Sequence, residues 1–178
     1  MNEYYFVSPL LKRTTKNIDL LDINNNRIGS IQRFYTNKFM FVLDTIFANM
    51  FVNVEVFDEK GSSMVKALER VTFKTAVIPT ANLWNVSTHD NSVCILKDKT
   101  KIKTHPRYEF EVGDKIFRLK KNLVEKTTYL ENKQTGNTIA EITYQTLIPP
   151  MTIKLRIIDP EIDVYTVACI YYVFSLRD

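Results

Sequence analysis

Polar clusters rich in Asn, Asp, Lys and Gly interrupt the chain at intervals, and the residues flanking each cluster alternate or are β-branched and aromatic. LLDINNNRIGSI (20–31), VEVFDEKGSSMVKAL (54–68), VSTHDNSVCILK (86–97), FEVGDKIFRL (110–119) and TYLENKQTGNTIAEI (128–142) each read as strand, polar turn, strand. Five such units predict an antiparallel sheet protein. Three of them align on the turn: Asn25, Gly61 and Gly136 fall where a positive φ is most needed, a conformation Gly adopts freely and Asn better than most residues. An acid precedes each turn (Asp22, Asp58, Glu131), and an apolar residue restarts the strand three residues after it (Ile28, Met64, Ile139). The offsets of 36 and then 75 residues fit one repeat followed by about two.

The stretch FMFVLDTIFANMFVNVEVF (39–57) is denser in apolar residues and less regular. Asp44 and Asn49 interrupt it, which excludes a bilayer span, and the expectation is a strand, a short amphipathic turn of helix and a second strand. After Pro149 and Pro150 the pattern resumes in MTIKLRIID (151–159). There Ile153, Leu155 and Ile157 share one face of a last strand and Lys154 and Arg156 the other.

The final segment, DPEIDVYTVACIYYVFSLRD (159–178), is rich in β-branched and aromatic residues, yet its punctuation is helical. Asp159 suits the N-cap, Pro160 the first helical position, Glu161 and Asp163 the positive end of the helix dipole, and Arg177 the other end. The segment therefore predicts a helix over about 160–176. From Val164 to Leu176 it is apolar on every face, but those thirteen residues fall short of the ~20 that a membrane span requires. A helix of this kind belongs in the centre of a core, and a series of hairpins closed into a barrel supplies the enclosing wall.

With 178 residues, 45% hydrophobic and 25% charged, the chain fits one globular domain, taken as 1–178. Cys94 and Cys169 sit in apolar surroundings, so neither a disulfide framework nor a zinc site is expected. The start, MNEYYFVSPLLKR, lacks the basic n-region and apolar core of a signal peptide, and a cytoplasmic protein is expected. The net charge of +4 is unevenly placed: Lys97 to Lys121 holds nine Lys or Arg against four Asp or Glu.

Hairpins with the turn pattern of DEKGSSMVKAL and NKQTGNTIAEI, ended by the acid-flanked apolar segment, resemble the superfamily of tubby C-terminal-like domains. That superfamily includes plant LURP-one-related proteins, phospholipid scramblases and small bacterial relatives. The resemblance spans roughly Tyr4 to Leu176 and rests on the order of the pattern and on the tail, not on an invariant motif. It implies a mainly β fold: a closed antiparallel barrel of about twelve strands around a central C-terminal helix. Tubby domains bind phosphoinositide headgroups through basic side chains, but none of those positions matches this sequence residue by residue. Scramblases carry a calcium-binding segment near the terminal helix. Asp159, Glu161 and Asp163 occupy that neighbourhood without the oxygen-rich loop and sharp-turn Gly of a dedicated calcium site, and capping explains them more simply. No metal and no cofactor are expected.

LKDKTKIKTHPR carries the sharpest functional signal. Lys97, Lys99, Lys101 and Lys103 recur every second residue, so on an extended strand they share a face, and Arg118, Lys120 and Lys121 follow one hairpin later. Such a row suits anionic lipid headgroups or a nucleic-acid backbone. The bland alternative, a solvated strand edge guarded by lysines, is the stronger of the two readings, and a turn at Asp98 to Thr100 would scatter the row. Nucleic acid is disfavoured because no recognition motif accompanies the charge. His89 and His105 stand apart, with no nucleophile elbow, phosphate loop or ligand spacing, so no catalytic residues are expected. The reading is a non-catalytic binding module whose partner is an anionic membrane surface or, alternatively, another protein. A carried small molecule is the third option, set aside because the tail helix should leave little lumen.

Overall fold

The computed structural model describes residues 2–46, 51–70, 82–102, 104–122, 125–144 and 150–177. Among them twelve strands form a closed barrel in which every neighbour is antiparallel. The strands are β1 (Asn2–Ser8), β2 (Ile18–Asp22), β3 (Arg27–Phe34), β4 (Asn53–Asp58), β5 (Ser63–Glu69) and β6 (Leu83–Thr88). They continue with β7 (Val93–Asp98), β8 (Arg107–Val112), β9 (Lys115–Lys121), β10 (Thr127–Asn132), β11 (Thr138–Tyr144) and β12 (Met151–Ile157). Each strand pairs with the next in the chain, and β1 closes the ring on β12 along its whole length, from Asn2 opposite Ile157 to Ser8 opposite Met151. Two helices complete the described fold, α1 (Lys38–Ile46) and α2 (Val164–Arg177).

An up-and-down barrel has two ends, and here they differ. The predicted turns all lie at one end, joining β2–β3, β4–β5, β6–β7, β8–β9 and β10–β11. Positive φ falls at Asn25 (63°), Gly61 (84°) and Gly136 (77°) as the pattern requires, and also at Asn91 and Gly113. In the first two turns an aspartate organises the backbone: Asp22 Oδ1 accepts from the Asn24 and Asn26 amides, and Asp58 Oδ1 from those of Lys60 and Ser62. In the third aligned unit that role belongs to Asn132, whose Oδ1 accepts from the Gln134 amide, while Glu131 pairs with Lys120. The longer connections, which follow β1, β3, β5, β7, β9 and β11, alternate with the turns, so the strand ends that they join lie at the opposite end.

α2 enters through the turn end. The expected cap at Asp159 is corrected: the helix begins at Val164, and Asp163 caps it, accepting from the Thr166 amide (3.0 Å) and from its hydroxyl (2.6 Å). Ile162 and Val167, both buried, occupy the positions of a hydrophobic staple. Asp159 and Pro160 instead form a turn in which Asp159 accepts from the Glu161 amide. Two consecutive acid signals were present, and the apolar Ile162 between them needed burial before the helix could start.

A barrel of about eight strands is filled by its own side chains, so twelve leave a gap that a helix of ~10 Å diameter can occupy. The helix lies off-centre, nearest β4, β5 and β12. Small inward residues admit it on that side, among them Gly29, Val54, Val65, Ala67 and Ala140. Along β6, β8 and β9 aromatics fill the space beside the helix: Tyr108 lies between Trp84, tilted against it (5.6 Å), and Phe174 of α2, which it meets edge-on (5.2 Å), and Phe110 stacks on Phe117 (5.4 Å). A Cβ at Gly29 would lie 2.2 Å from the Phe57 carbonyl oxygen and 3.1 Å from the Tyr165 ring, whose hydroxyl donates to the Ile28 carbonyl. Cys169 is fully enclosed and Cys94 half-buried, both as free thiols, and burial pushes the Cys94 thiol up to about 11.

The segment 39–57 corrects a second expectation, because its first part is helical. Asn37 caps α1 by accepting from the Met40 amide (2.8 Å), a signal that the apolar density around it obscured. Asp44 fastens α1 to the barrel mouth. It pairs with Arg33, which points inward at the end of β3, and both side chains are 0% exposed. Arg33 also donates to the Phe51 and Lys12 carbonyls, and Asp44 accepts from the Tyr35 hydroxyl and the Phe51 amide.

Two outcomes follow from this packing. Deleting residues 160–178 should abolish the cooperative thermal transition seen by circular dichroism, whereas a truncated monomer that still melts cooperatively contradicts the central helix. Gly29→Ala should cost about 1–3 kcal/mol in urea denaturation, because backbone must shift to admit the methyl group.

Candidate functional site: a basic bowl on the outer wall

Strand alternation that turns Tyr108, Phe110, Phe117 and Leu119 inward turns their neighbours outward. The outer wall of β7 to β10 therefore carries a cross-strand row of Lys97, Glu109, Arg118 and Glu131, alternating in sign through the register. Arg118 meets Glu109 at 2.8 Å, Lys120 meets Glu131 at 2.7 Å and Lys97 reaches Glu111 at 3.3 Å. Lys121 lies over the Tyr144 ring, 5.7 Å from its centroid. Much of the positive charge that the sequence placed here is matched by carboxylates at the next strand.

The lysine row itself is broken. Only Lys97 belongs to β7; at Asp98 the side chain accepts from the Thr100 amide (2.9 Å) and the chain turns. Lys99 and Lys101 lie in the connection to β8, and Lys103 lies outside the described residues. The connection is tied back by the Lys99 amide donating to the Arg107 carbonyl (2.8 Å) and the Arg107 amide donating to the Thr100 hydroxyl (3.0 Å). Period-two spacing at Lys97, Lys99 and Lys101 thus marks residues that share no strand face.

The fold builds a different cluster from part of the set. Between the 99–106 connection and the outer wall of β8 and β9 lies a cleft of about 670 Å³ walled by Lys99, Lys101, Arg107, Arg118, Lys133 and His105, with Ile102 and Glu109. Five cations face one carboxylate. That carboxylate, Glu109, is held between Arg118 and Lys133 (3.3 Å); burial pushes its pKa up, but the hydrogen bonds from those two cations outweigh this and leave it below the ordinary glutamate value. Lys99, Lys101, Arg107 and Lys133 are exposed, as is Ile102, at 63%. Arg118, Lys99 and Lys101 come from the predicted set, while Lys97, Lys120 and Lys121 lie elsewhere on the wall. Arg107, Lys133 and His105 were not foreseen: Arg107 stood among the local basic excess, but Lys133 arrives from the β10–β11 turn, which no spacing rule connects to the loop.

The three acids near the tail have separate tasks. Asp159 sits in its turn, Asp163 caps α2, and Glu161 pairs with Lys115 at 2.9 Å. Among the described residues no group of three or more His, Cys, Asp or Glu is placed to hold a metal ion. Nor is any described helix long and apolar enough to cross a membrane.

The comparisons with known proteins agree with the architecture. A solved structure of a protein from Arabidopsis thaliana is similar to this chain, with a TM-score of 0.56 and 11% identity, covering 97% of this chain and 90% of that one. At such identity the likeness concerns the fold alone. No curated protein matches the sequence. The family model of the Tubby C-terminal-like domain matches residues 4–178, so the chain belongs to that family.

Proposed function

We propose that the protein is a non-catalytic binding module of one domain that attaches reversibly to anionic lipid headgroups through the basic bowl. One observation carries this reading: five cations from the 99–106 connection, β8, β9 and the β10–β11 turn converge on a single cleft that holds one carboxylate. Ordinary wall positions on this barrel pair each cation with a neighbouring acid, as Lys154 with Glu3 and Arg156 with Glu141. The bowl departs from that rule, and unbalanced charge of one sign in a concave site attracts an anion. Ile102 favours a lipid surface over a free anion, because an exposed apolar tip between lysines suits the boundary between headgroups and acyl chains. Membership in the Tubby C-terminal-like family is consistent with a binding role.

A protein partner with no lipid role is the second reading, and α1 is the feature that favours it. Phe39, Val42 and Ile46 lie on one side of the helix at 69%, 51% and 65% exposure, an apolar stripe of the kind that marks interaction surfaces.

Co-sedimentation with vesicles containing acidic phospholipid separates the two. The lipid reading predicts binding at low salt that falls at high salt, and absence of binding at low salt refutes it. Each cation near an acidic surface is worth about 1 kcal/mol, so Lys99→Ala with Lys101→Ala should weaken partitioning roughly thirtyfold, while Lys120→Ala, already matched by Glu131, should change it little. Glu109→Gln, which removes the bowl's carboxylate, should strengthen it.

A further inference from the structure

The closed barrel consists of two six-stranded sheets joined at two short seams. From β2 to β7, and from β8 through β12 to β1, neighbouring strands share registers of four to seven residue pairs. β7 meets β8 over only two pairs, Lys97 opposite Glu109 and Asp98 opposite Tyr108. β1 likewise meets β2 over two, Tyr4 opposite Asp22 and Tyr5 opposite Leu21. Side chains bridge the first seam, since Lys97 on β7 reaches Glu111 on β8 (3.3 Å). The second has no such bridge among the described residues, and Asp19 turns away to Arg27 (2.9 Å).

The direction of the backbone at the β1–β2 seam follows from the adjoining turn. The Asp22 amide donates to the Asn26 carbonyl (2.9 Å), toward β3, and strand groups alternate between the two edges, so Leu21 and Asp19 turn theirs toward β1. Tyr5 stands opposite Leu21, but the ladder does not continue to the next such positions, Val7 and Asp19. Strand edges left in this state are templates for another extended backbone. Where the ladder stops, a groove of about 670 Å³ runs along the seam between Ile23 and Lys16. Tyr5 and Val7 on β1 and Leu21 on β2 turn apolar side chains to it, and Ile23 extends the strip; Val7 is 49% and Ile23 64% exposed. The groove carries two charges: Asp19, matched by Arg27, and Lys16, whose ammonium makes no ion pair among the described residues.

We infer that the β1–β2 seam is a docking site for a short, acidic, extended segment of a partner protein. The backbone of that segment completes the ladder at Val7 and Asp19, its alternate apolar side chains lie on Tyr5, Val7, Leu21 and Ile23, and its acid pairs with Lys16. Free main-chain groups select an extended chain over a folded surface, and the unmatched cation selects an acidic one. At ~3.3 Å per residue a stretch as long as 18–23 spans about 20 Å, so about six residues of the partner fill the groove. The seam is separate from the basic bowl and stands independently of vesicle binding.

The direct probe is a capped hexapeptide of one glutamate and alternating valine and threonine, labelled with fluorescein and titrated into the full chain. Two versions, with the glutamate first or last, cover both strand directions. Fluorescence anisotropy should show saturable binding of the better version at one site per chain. The same peptide N-methylated at its valines keeps the side chains and loses amide donors, and should bind at least tenfold more weakly. Asp19→Pro removes the one amide of that residue, which faces the seam, and should weaken the probe while sparing the β2–β3 ladder. Lys16→Glu, on an exposed side chain, serves if the proline variant fails to fold: it should weaken the probe about fivefold, and a peptide with lysine in place of glutamate should recover the loss. No saturable binding of either version at about 1 mM, equal affinity for the N-methylated peptide, or an unchanged affinity in both variants would overturn the inference. A groove that takes any apolar ligand gives the second of these.

Discussion

A ring of twelve antiparallel strands is too wide for side chains alone to fill, and the structure depends on the helix that fills it. That requirement explains why the most apolar segment of the chain lies deepest. From Thr166 to Phe174 every side chain of α2 is buried, so a helix that would be insoluble alone becomes the centre of the core. It also explains the uneven interior. Gly29, Ala67 and the valines of β4 and β5 make room where the helix lies against the wall, and Trp84, Tyr108, Phe110 and Phe117, on β6, β8 and β9, take up the volume beside it. The anchors at its ends are polar: Asp163 caps the start, and Arg177 donates to Glu69 and lies over Trp84, whose indole donates to the Val52 carbonyl.

With the lumen committed to packing, the outer wall and the loop end are the surfaces open to a partner. The turn end is built from short, repetitive hairpins in which Asp or Asn side chains hold the backbone, and it offers little shape. The loop end carries longer connections and the α1 stripe, and the 99–106 connection folds from it onto the wall to form the bowl. Rigid walls with variable connections at one end are a common way to hold binding residues. The buried Arg33–Asp44 pair belongs to the same logic, since it fixes α1 at the mouth. Breaking such a pair by removing one partner typically costs 3–5 kcal/mol.

The sequence made the architecture legible wherever local chemistry decides it. Asn25, Gly61 and Gly136 announced backbone that favours Gly or Asn, Ile153, Leu155 and Ile157 announced a face, and the length of the tail separated a plug from a span. Local signals misled where two of them competed. Asp159 and Asp163 are equally good caps in sequence, and only the burial of Ile162 decides between them. Phe39 to Val42 look like strand, but Asn37 starts a helix whose apolar side remains exposed. The residues of the candidate site were the least legible. Alternation assigned Lys97, Lys99, Lys101 and Lys103 to one face, yet the Asp98 turn ends the strand after the first, and the carboxylates that match Arg118 and Lys120 come from neighbouring strands. Which cation is balanced depends on register, and register is set by pairing that no single segment encodes.

The central claim is that α2 and the barrel are one cooperative unit, neither of which persists without the other. Native-state amide hydrogen exchange at increasing denaturant measures this directly at Val167 to Phe174. If the helix is the core, those amides exchange only through global unfolding, with the same free energy and denaturant dependence as the slowest amides of β4 and β5. Exchange of the α2 amides through a smaller opening, while the strands around it stay protected, would contradict the account.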